Sequence, residues 1–335
     1  MKNKTTENHT VYIIKKLFRL VLLLFVTSVT AFALMKASPI DPLQANVGQS
    51  ALGSMSVEQL EKLQEYWGVD ANPVRQYLAW MSDFVRGDMG TSLLYRQPVS
   101  EVIAVRLQNS LVLMASAWLL SGVLGVILGA SAGMNRGRWI DKCMKGYCFL
   151  ISRTSAFWLA MLLLIVFGVW LKWLPVGLSV PIGVAAADVT FADRVQHFIL
   201  PALTLSITGI ANIALHTREK MIEIVESDFF LFARARGEKG WKLFRNHGLR
   251  NILLPAVTLQ FASVSEIFGG SVLVEQVFSY PGLGQAAVAA GLGSDMPLLM
   301  AVTVVSALFV FGGNMLADVL YGVVDPRIRR GGVRQ

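Results

Sequence analysis

Between two strongly apolar stretches, residues 232–255 read FARARGEKGWKLFRNHGLRNILLP, with six Lys or Arg, three large aromatics and three glycines. The segment is too charged to cross a bilayer and too patterned for a casual connection. The chemistry it offers is docking. Residues 229–235 and 241–247 suit two short helices, and Gly237 and Gly240 between them permit a sharp bend. On the first helix Phe229, Phe232, Ala233 and Arg236 share a face. On the second, Trp241, Phe244 and Gly248 recur at i, i+3 and i+7, with His247 at the end. Lys239, Lys242 and Arg245 surround them. Such a pair presents an apolar ridge that a partner's groove would accept. Anionic lipid would accept the same mixture of cations and aromatics, so composition leaves two readings open.

A second set of candidates lies in the apolar stretch 252–277. Ser263, Ser265 and Glu266 are polar where hydrocarbon is expected, and a carboxylate inside a membrane is a functional candidate by default. They either line a path or hydrogen-bond between helices. Arg153 and Asp318 carry the same two readings. Gly269-Gly270 marks either the path or close helix packing. Other chemistry is missing from the sequence: GxxxxGK[ST], HExxH, GxSxG and CxxC are absent. His9, His197, His216 and His247 are scattered, and Cys143 and Cys148 read as small buried residues rather than a metal or redox pair. No catalytic constellation and no metal site is expected.

The elements that must position these residues follow from hydropathy. Of 335 residues, 54% are hydrophobic and only 16% charged, well below the roughly 25% charged of a soluble domain. The apolar residues fall in runs long enough to span a bilayer, which takes about 20 residues at 1.5 Å each. Six runs qualify: 11–35, 109–133, 140–171, 197–225, 252–277 and 296–324. Strands of a barrel would be about ten residues long, so the expectation is an all-α membrane protein with six transmembrane helices.

The net charge of +8 is distributed as a topology signal. The N-terminus carries Lys2, Lys4, Lys15, Lys16 and Arg19. Arg136, Arg138, Lys142 and Lys145 lie in 134–145, the segment 218–250 carries eight Lys or Arg, and Arg327, Arg329, Arg330 and Arg334 lie in the tail. The positive-inside rule places both termini and these two loops in the cytoplasm. The charge is therefore not a nucleic-acid footprint. The first run, with Ala31-Phe32-Ala33 near its end, resembles a secretory signal, but it lacks a polar region before that point and reads as an uncleaved anchor. The organisation expected is a tail and first span at 1–35, an extracytoplasmic scaffold at 36–108, and a core of five spans at 109–335 that includes the cytoplasmic loop 226–251.

Within the scaffold, 57–67 reads as a short amphipathic helix with Ser56 as N-cap and Gly68 beyond its end. Residues 74–85 read as another, with Pro73 at its start, and Gly87-Asp88-Met89-Gly90 as a turn. A loop of this length is usually functional, and here it suits docking on the outer membrane face. Pro175, Gly177, Pro181 and Gly183 break the chain after the third span, and Pro201 falls near the start of the fourth.

Several of these stretches together resemble a known family. Ala233 and Gly237, followed by His247-Gly248-Leu249-Arg250 and then Leu254-Pro255, are similar to the EAA loop of ABC importer permeases in its peptide/nickel version. Leu231 and Phe232 stand where the general pattern has Glu and Ala. Gly269-Gly270-Ser271-Val272 through Glu275, then Val277-Phe278-Ser279-Tyr280-Pro281-Gly282-Leu283-Gly284, resembles the family's signature. Asp295-Met296-Pro297 follows it, and Asn314, Asp318 and Asp325-Pro326-Arg327-Ile328-Arg329 match its end. Gly87-Asp88-Met89-Gly90 with Pro98-Val99 resembles an extracytoplasmic element of the first of two permease subunits.

The resemblance implies an ATP-driven importer of short peptides in the bacterial cytoplasmic membrane. Nickel or a metal–chelator complex is the alternative cargo, and a non-transport membrane scaffold the alternative role. The implied partners are a second homologous permease, two ATPase subunits that carry ATP and Mg, an extracytoplasmic substrate-binding protein and membrane lipid, with no cofactor in this chain. Phe229, Phe232, Ala233, Arg236, Gly237, Trp241, Phe244 and His247 would then form the ATPase-coupling helices.

Overall fold

A computed structural model describes residues 3–38, 55–56, 58–59, 72–181, 183–184, 188–238 and 240–324. In chain order its helices are α1 (Asn3–Ala37), α2 (Pro73–Val85), α3 (Val99–Met134), α4 (Trp139–Ser152), α5 (Ala156–Leu163), α6 (Phe191–Val225), α7 (Asp228–Ala235), α8 (Gly240–Leu243), α9 (Arg250–Ala262), α10 (Val264–Val277), α11 (Leu283–Leu292) and α12 (Met296–Val324). Turns of π-helix at Leu164–Trp170 and Phe244–Leu249 extend α5 and α8. The protein is an all-α membrane protein.

Among the described residues four helices are long and apolar enough to cross a membrane: Ile14–Ala37, Val99–Met134, Phe191–Val225 and Met296–Ala317. The third and fifth expected spans are not single rods. Trp139–Ser152 and Ala156–Trp170 meet at 107°, and Phe244–Ala262 and Val264–Val277 at 51°, so six spans are reached when each bent pair is one span. Local chemistry makes the breaks. Ser155 stops α4 from continuing by accepting from the Phe157 amide at 3.3 Å, which restarts the chain as α5. At the second break the Ser263 hydroxyl donates to the Gln260 carbonyl at 2.8 Å, a back-bond of the kind that bends helices.

The fourth span also starts earlier than hydropathy indicates. Thr190 and Asp193 form a reciprocal capping box, with Thr190 Oγ1 accepting from Asp193 N at 3.2 Å and Asp193 Oδ2 from Thr190 N at 3.0 Å. Helix α6 therefore begins at Phe191, and Pro201 lies inside it instead of near its start. Helix α2 matches the expected 74–85, with Pro73 in its first turn and Asn72 accepting from Val74 N at 3.0 Å. Ser56 caps as expected: its hydroxyl accepts from Gln59 N and its amide donates to Gln59 Oε1. The remainder of 57–67 and the motif at 325–329 lie outside the described residues.

The chain divides into two compact units, Met1–Asn109 with Gly282–Phe311 and Ser110–Pro281 with Gly312–Gln335. In the first, Val99, Val102, Ile103, Leu283, Ala290, Leu298, Ala301 and Val302 form a buried core on which Phe84, Met89 and Tyr95 pack. In the second, Gly125, Gly129 and Gly133 form a stripe along α3 where α6 comes close. A Cβ at Gly125 would stand 2.8 Å from Ile213, and one at Gly133 2.6 Å from Met221. Gly129 lies against the Ala214 carbonyl and Thr217. With lipid as apolar as the side chains, such close van der Waals approach is what holds membrane helices together.

Candidate coupling segment and translocation path

The segment after α6 folds as two short helices around a bend. Gly237 has φ +92, a conformation that costs other residues about 1–2 kcal/mol, and Glu238 N returns to the Ala233 carbonyl at 3.3 Å. Phe230, Ala233, Leu243 and Phe244 enter a buried cluster with Ala130, Met221, Ile224 and Ile252. The segment is thus riveted to α3, α6 and α9. Phe229, Phe232 and Arg236 point outward, with Phe229 48% and Phe232 66% exposed. The Arg236 guanidinium lies over the Phe232 ring, 5.3 Å from its centroid. Glu238 lies 3.4 Å from His247 and 4.0 Å from Arg236, tying the two helices across the bend.

The expected faces are therefore split. Ala233 turns into the bundle while its predicted neighbours Phe229, Phe232 and Arg236 turn out. Phe244 and Gly248, expected on an outward ridge, are buried, and Gly248 lies against Met221 and Phe244. Four successive apolar residues, Phe229 to Phe232, leave helical periodicity no basis for choosing the inward side; packing against Met221 and Ile224 chooses Phe230 and Ala233. The side chain of Trp241 lies outside the described residues.

Among the path candidates, Ser263 sits at the break between α9 and α10. Ser265 Oγ donates to Asn314 Oδ1 at 2.5 Å. Glu266 is exposed, and it continues along α10 into a stripe of exposed Gly269, Leu273 and Gln276. The opposite side of α10 buries Ile267, Ser271, Val274 and Glu275. Of the two predicted packing glycines, Gly270 lies against Leu205 and Gly269 faces open space. Arg153 is at the α4–α5 break of the third span, over the Phe149 ring. The side chain of Asp318 lies outside the described residues.

Three buried polar constellations were not singled out from sequence. Glu275 is fully buried and accepts from Ser110 Oγ at 2.6 Å. The rule that picks out Glu266 applies equally to Glu275, later in the same apolar run. Gln260 and Trp118 clasp each other: Trp118 Nε1 donates to the Gln260 carbonyl at 2.7 Å, and Gln260 Nε2 donates to the Trp118 carbonyl. Asp141, fully buried, accepts from Arg218 Nε at 2.5 Å, Arg218 Nη2 at 3.0 Å and the Gly137 amide at 2.9 Å. In the sequence Asp141 is only one acid among loop bases; nothing local marks its partner.

The signature pieces at 87–99 and 295–297 converge in the first unit. Asp295 caps α12 through Leu298 N at 3.1 Å and accepts from Ser92 Oγ at 2.5 Å and Leu94 N at 3.0 Å. Gly90 faces Pro297, and its carbonyl accepts from Val99 N. Near the end of α10, burial pushes the Tyr280 hydroxyl up to about 12, with the Glu275 charge adding to it. Among the described residues no three His, Cys, Asp or Glu side chains are grouped to hold a metal ion.

Several apolar spans, two of them bent, with polar residues buried between helices, define a polytopic helical membrane protein. Residues 125–330 match the family described as binding-protein-dependent transport system inner membrane component, and residues 10–113 match its N-terminal membrane component. The chain belongs to this family of binding-protein-dependent transport permeases. It is a transporter component rather than an enzyme, and a multi-pass protein of the bacterial inner membrane. It is 35% identical to the oligopeptide transport system permease protein AppB of Bacillus subtilis, covering 95% of this chain and 98% of that one. It is 33% identical to the glutathione transport system permease protein GsiC of Escherichia coli, covering 95% and 98%.

Proposed function

We propose that this chain is the first-type permease subunit of an ATP-driven importer and moves short peptides into the cell. With a second homologous permease it forms the translocation path, each supplying half. Two ATPase subunits hold ATP and Mg and engage the 226–251 segment, and an extracytoplasmic binding protein delivers cargo to the 36–108 scaffold. Both termini and the 226–251 segment lie in the cytoplasm. Relatives named for oligopeptide and glutathione transport support the choice of short peptides as cargo.

The observation that carries the coupling role is the two-sided build of 226–251. Phe229, Phe232 and Arg236 form an exposed aromatic–cationic ridge, while Phe230, Ala233 and Phe244 lock the same segment into the bundle. A rigid element seated in an ATPase groove transmits its displacement to α6 and α9, to which it is joined directly. The exposed Glu266 and Gln276 on one side of α10, with Ser263 and Ser265 near its start, support a wet path instead of a lipid-facing surface.

Gly237→Asp tests the coupling role. Its Cβ would meet no neighbour, so the substitution strains the backbone of the bend and adds a carboxylate there without a steric clash. The variant is expected to insert normally and to lose peptide uptake while the assembled transporter still hydrolyses ATP. Uptake at the parental rate in proteoliposomes would refute the coupling assignment.

A further inference from the structure

Helix α2 carries two apolar stripes, and among the described residues only one of them has named packing partners. Tyr77, Trp80 and Phe84 form an aromatic ladder, with ring centroids 6.1 Å and 5.1 Å apart. Tyr77 meets α1: its hydroxyl hydrogen-bonds Ser28 at 2.8 Å, and its ring packs edge-on against Phe32 at 5.4 Å. Phe84 packs on the buried core of the first unit. Helix α2 is thus pinned at two points, which fixes its rotation.

The second stripe is Val74, Leu78, Met81 and Val85, spaced i, i+4, i+7 and i+11 and so aligned along one side. Val74 is 65% exposed, Leu78 59% and Val85 77%. Arg75, Ser82 and Arg86, all exposed, flank it on the side away from the ladder. What should cover this stripe follows from where Tyr77 sits. Ser28 and Phe32 lie in the C-terminal half of the membrane span Ile14–Ala37. At 1.5 Å per residue, Ser28 is about 13 Å along the axis from the end of that helix. The Tyr77 ring meets Phe32, about 7–8 Å from that end, and its hydroxyl reaches deeper to Ser28, so the side chain points down into the leaflet from a helix nearer the boundary, where amphipathic helices seat their apolar face about 5–10 Å into the acyl region. An aromatic ladder and flanking arginines suit that depth, because both have apolar bodies and polar ends.

We propose that α2 is an interfacial anchor, with the Val74–Leu78–Met81–Val85 stripe embedded in the lipid leaflet that the C-terminal end of α1 enters. It fastens the first unit to the bilayer surface and leaves Arg75, Ser82 and Arg86 toward headgroups and water. The inference is independent of cargo and of ATPase coupling; it requires only that α1 crosses the membrane.

The test uses the full chain in phosphatidylcholine nanodiscs, with Cys143→Ser and Cys148→Ala to remove the native thiols. Leu78→Cys and Val85→Cys report the stripe, and Arg75→Cys and Ser82→Cys report the polar side. Each is labelled with the fluorophore NBD and quenched by lipid brominated near the carbonyl end of its chains. Quenching at 78 and 85 is expected to exceed that at 75 and 82 by at least twofold, with blue-shifted emission. Either stripe position suffices if the other variant fails to insert. Equal, weak quenching at all four positions would overturn the proposal. So would blue-shifted emission at 78 and 85 without lipid quenching, since protein would then cover the stripe, whether residues 57–71 or a docked binding protein.

Discussion

Asp141 and Arg218 illustrate how much one pair of residues fixes. The carboxylate is buried, receives two guanidinium bonds and also holds the Gly137 amide, so it ties the loop after α3 to α6. Removing one partner strands the other's charge, which costs about 3–5 kcal/mol for a buried pair. Asp141→Ala is accordingly expected to lower the thermal unfolding midpoint of the purified protein severely. The exposed pair Arg136–Glu226 is the comparison, since its side chains are 60% and 61% exposed. Glu226→Ala should change stability by no more than about 1 kcal/mol. Similar losses from the two substitutions, measured by the same melt, would contradict this ranking. Glu275 and Glu266 divide in the same way: one is matched by Ser110 inside the unit, the other is exposed on α10.

At the scale of elements, the contact between α3 and α6 rests on glycines. Gly129 faces the Ala214 carbonyl at a distance that leaves no room for a methyl group. Gly129→Val is expected to force the helices apart at a cost of about 1–3 kcal/mol, the usual penalty of overpacking. Gly146→Val, at a glycine with no neighbour within 4 Å, should cost far less. The yield of monodisperse protein and its melting temperature in detergent would separate the two. The cap of α6 makes a smaller claim. Thr190→Ala removes one half of the capping box and is expected to cost about 0.5–2 kcal/mol, read as a lower melting temperature with the fold retained.

At the scale of the whole molecule, the charge distribution makes a topological prediction. With Cys143→Ser and Cys148→Ala, a thiol placed by Arg245→Cys should react with a membrane-impermeant reagent only from the cytoplasmic side. One placed by Val184→Cys should react only from outside. Labelling of both positions from the same side would overturn the expected orientation. The breadth of the family resemblance also belongs to this scale. Motifs at 87–99 and 295–297 lie far apart in sequence, and Asp295 joins them in space: its carboxylate receives the Ser92 hydroxyl and the Leu94 amide while capping α12.

The sequence by itself determined the class, the existence of the spans and the bend at Gly237, although the helix of the second span begins at Val99, ten residues before the expected 109. These depend on sums and local rules: hydrophobicity accumulated over about 20 residues, and the steric freedom of one glycine. Turn chemistry was legible for the same reason, as Ser56, Pro73 and the 87–90 turn show. Where a span breaks was not legible, because hydropathy counts apolar residues without regard to backbone direction; 140–171 and 252–277 read as continuous although hydroxyls interrupt both. Nor was it legible which side of α7 faces inward, since both sides are apolar. Only the tertiary structure decided that Phe230 and Ala233 are buried and Phe229 and Phe232 exposed, and that Asp141 meets Arg218. Those outcomes depend on groups brought from distant parts of the chain, and burial has no meaning until those neighbours are in place.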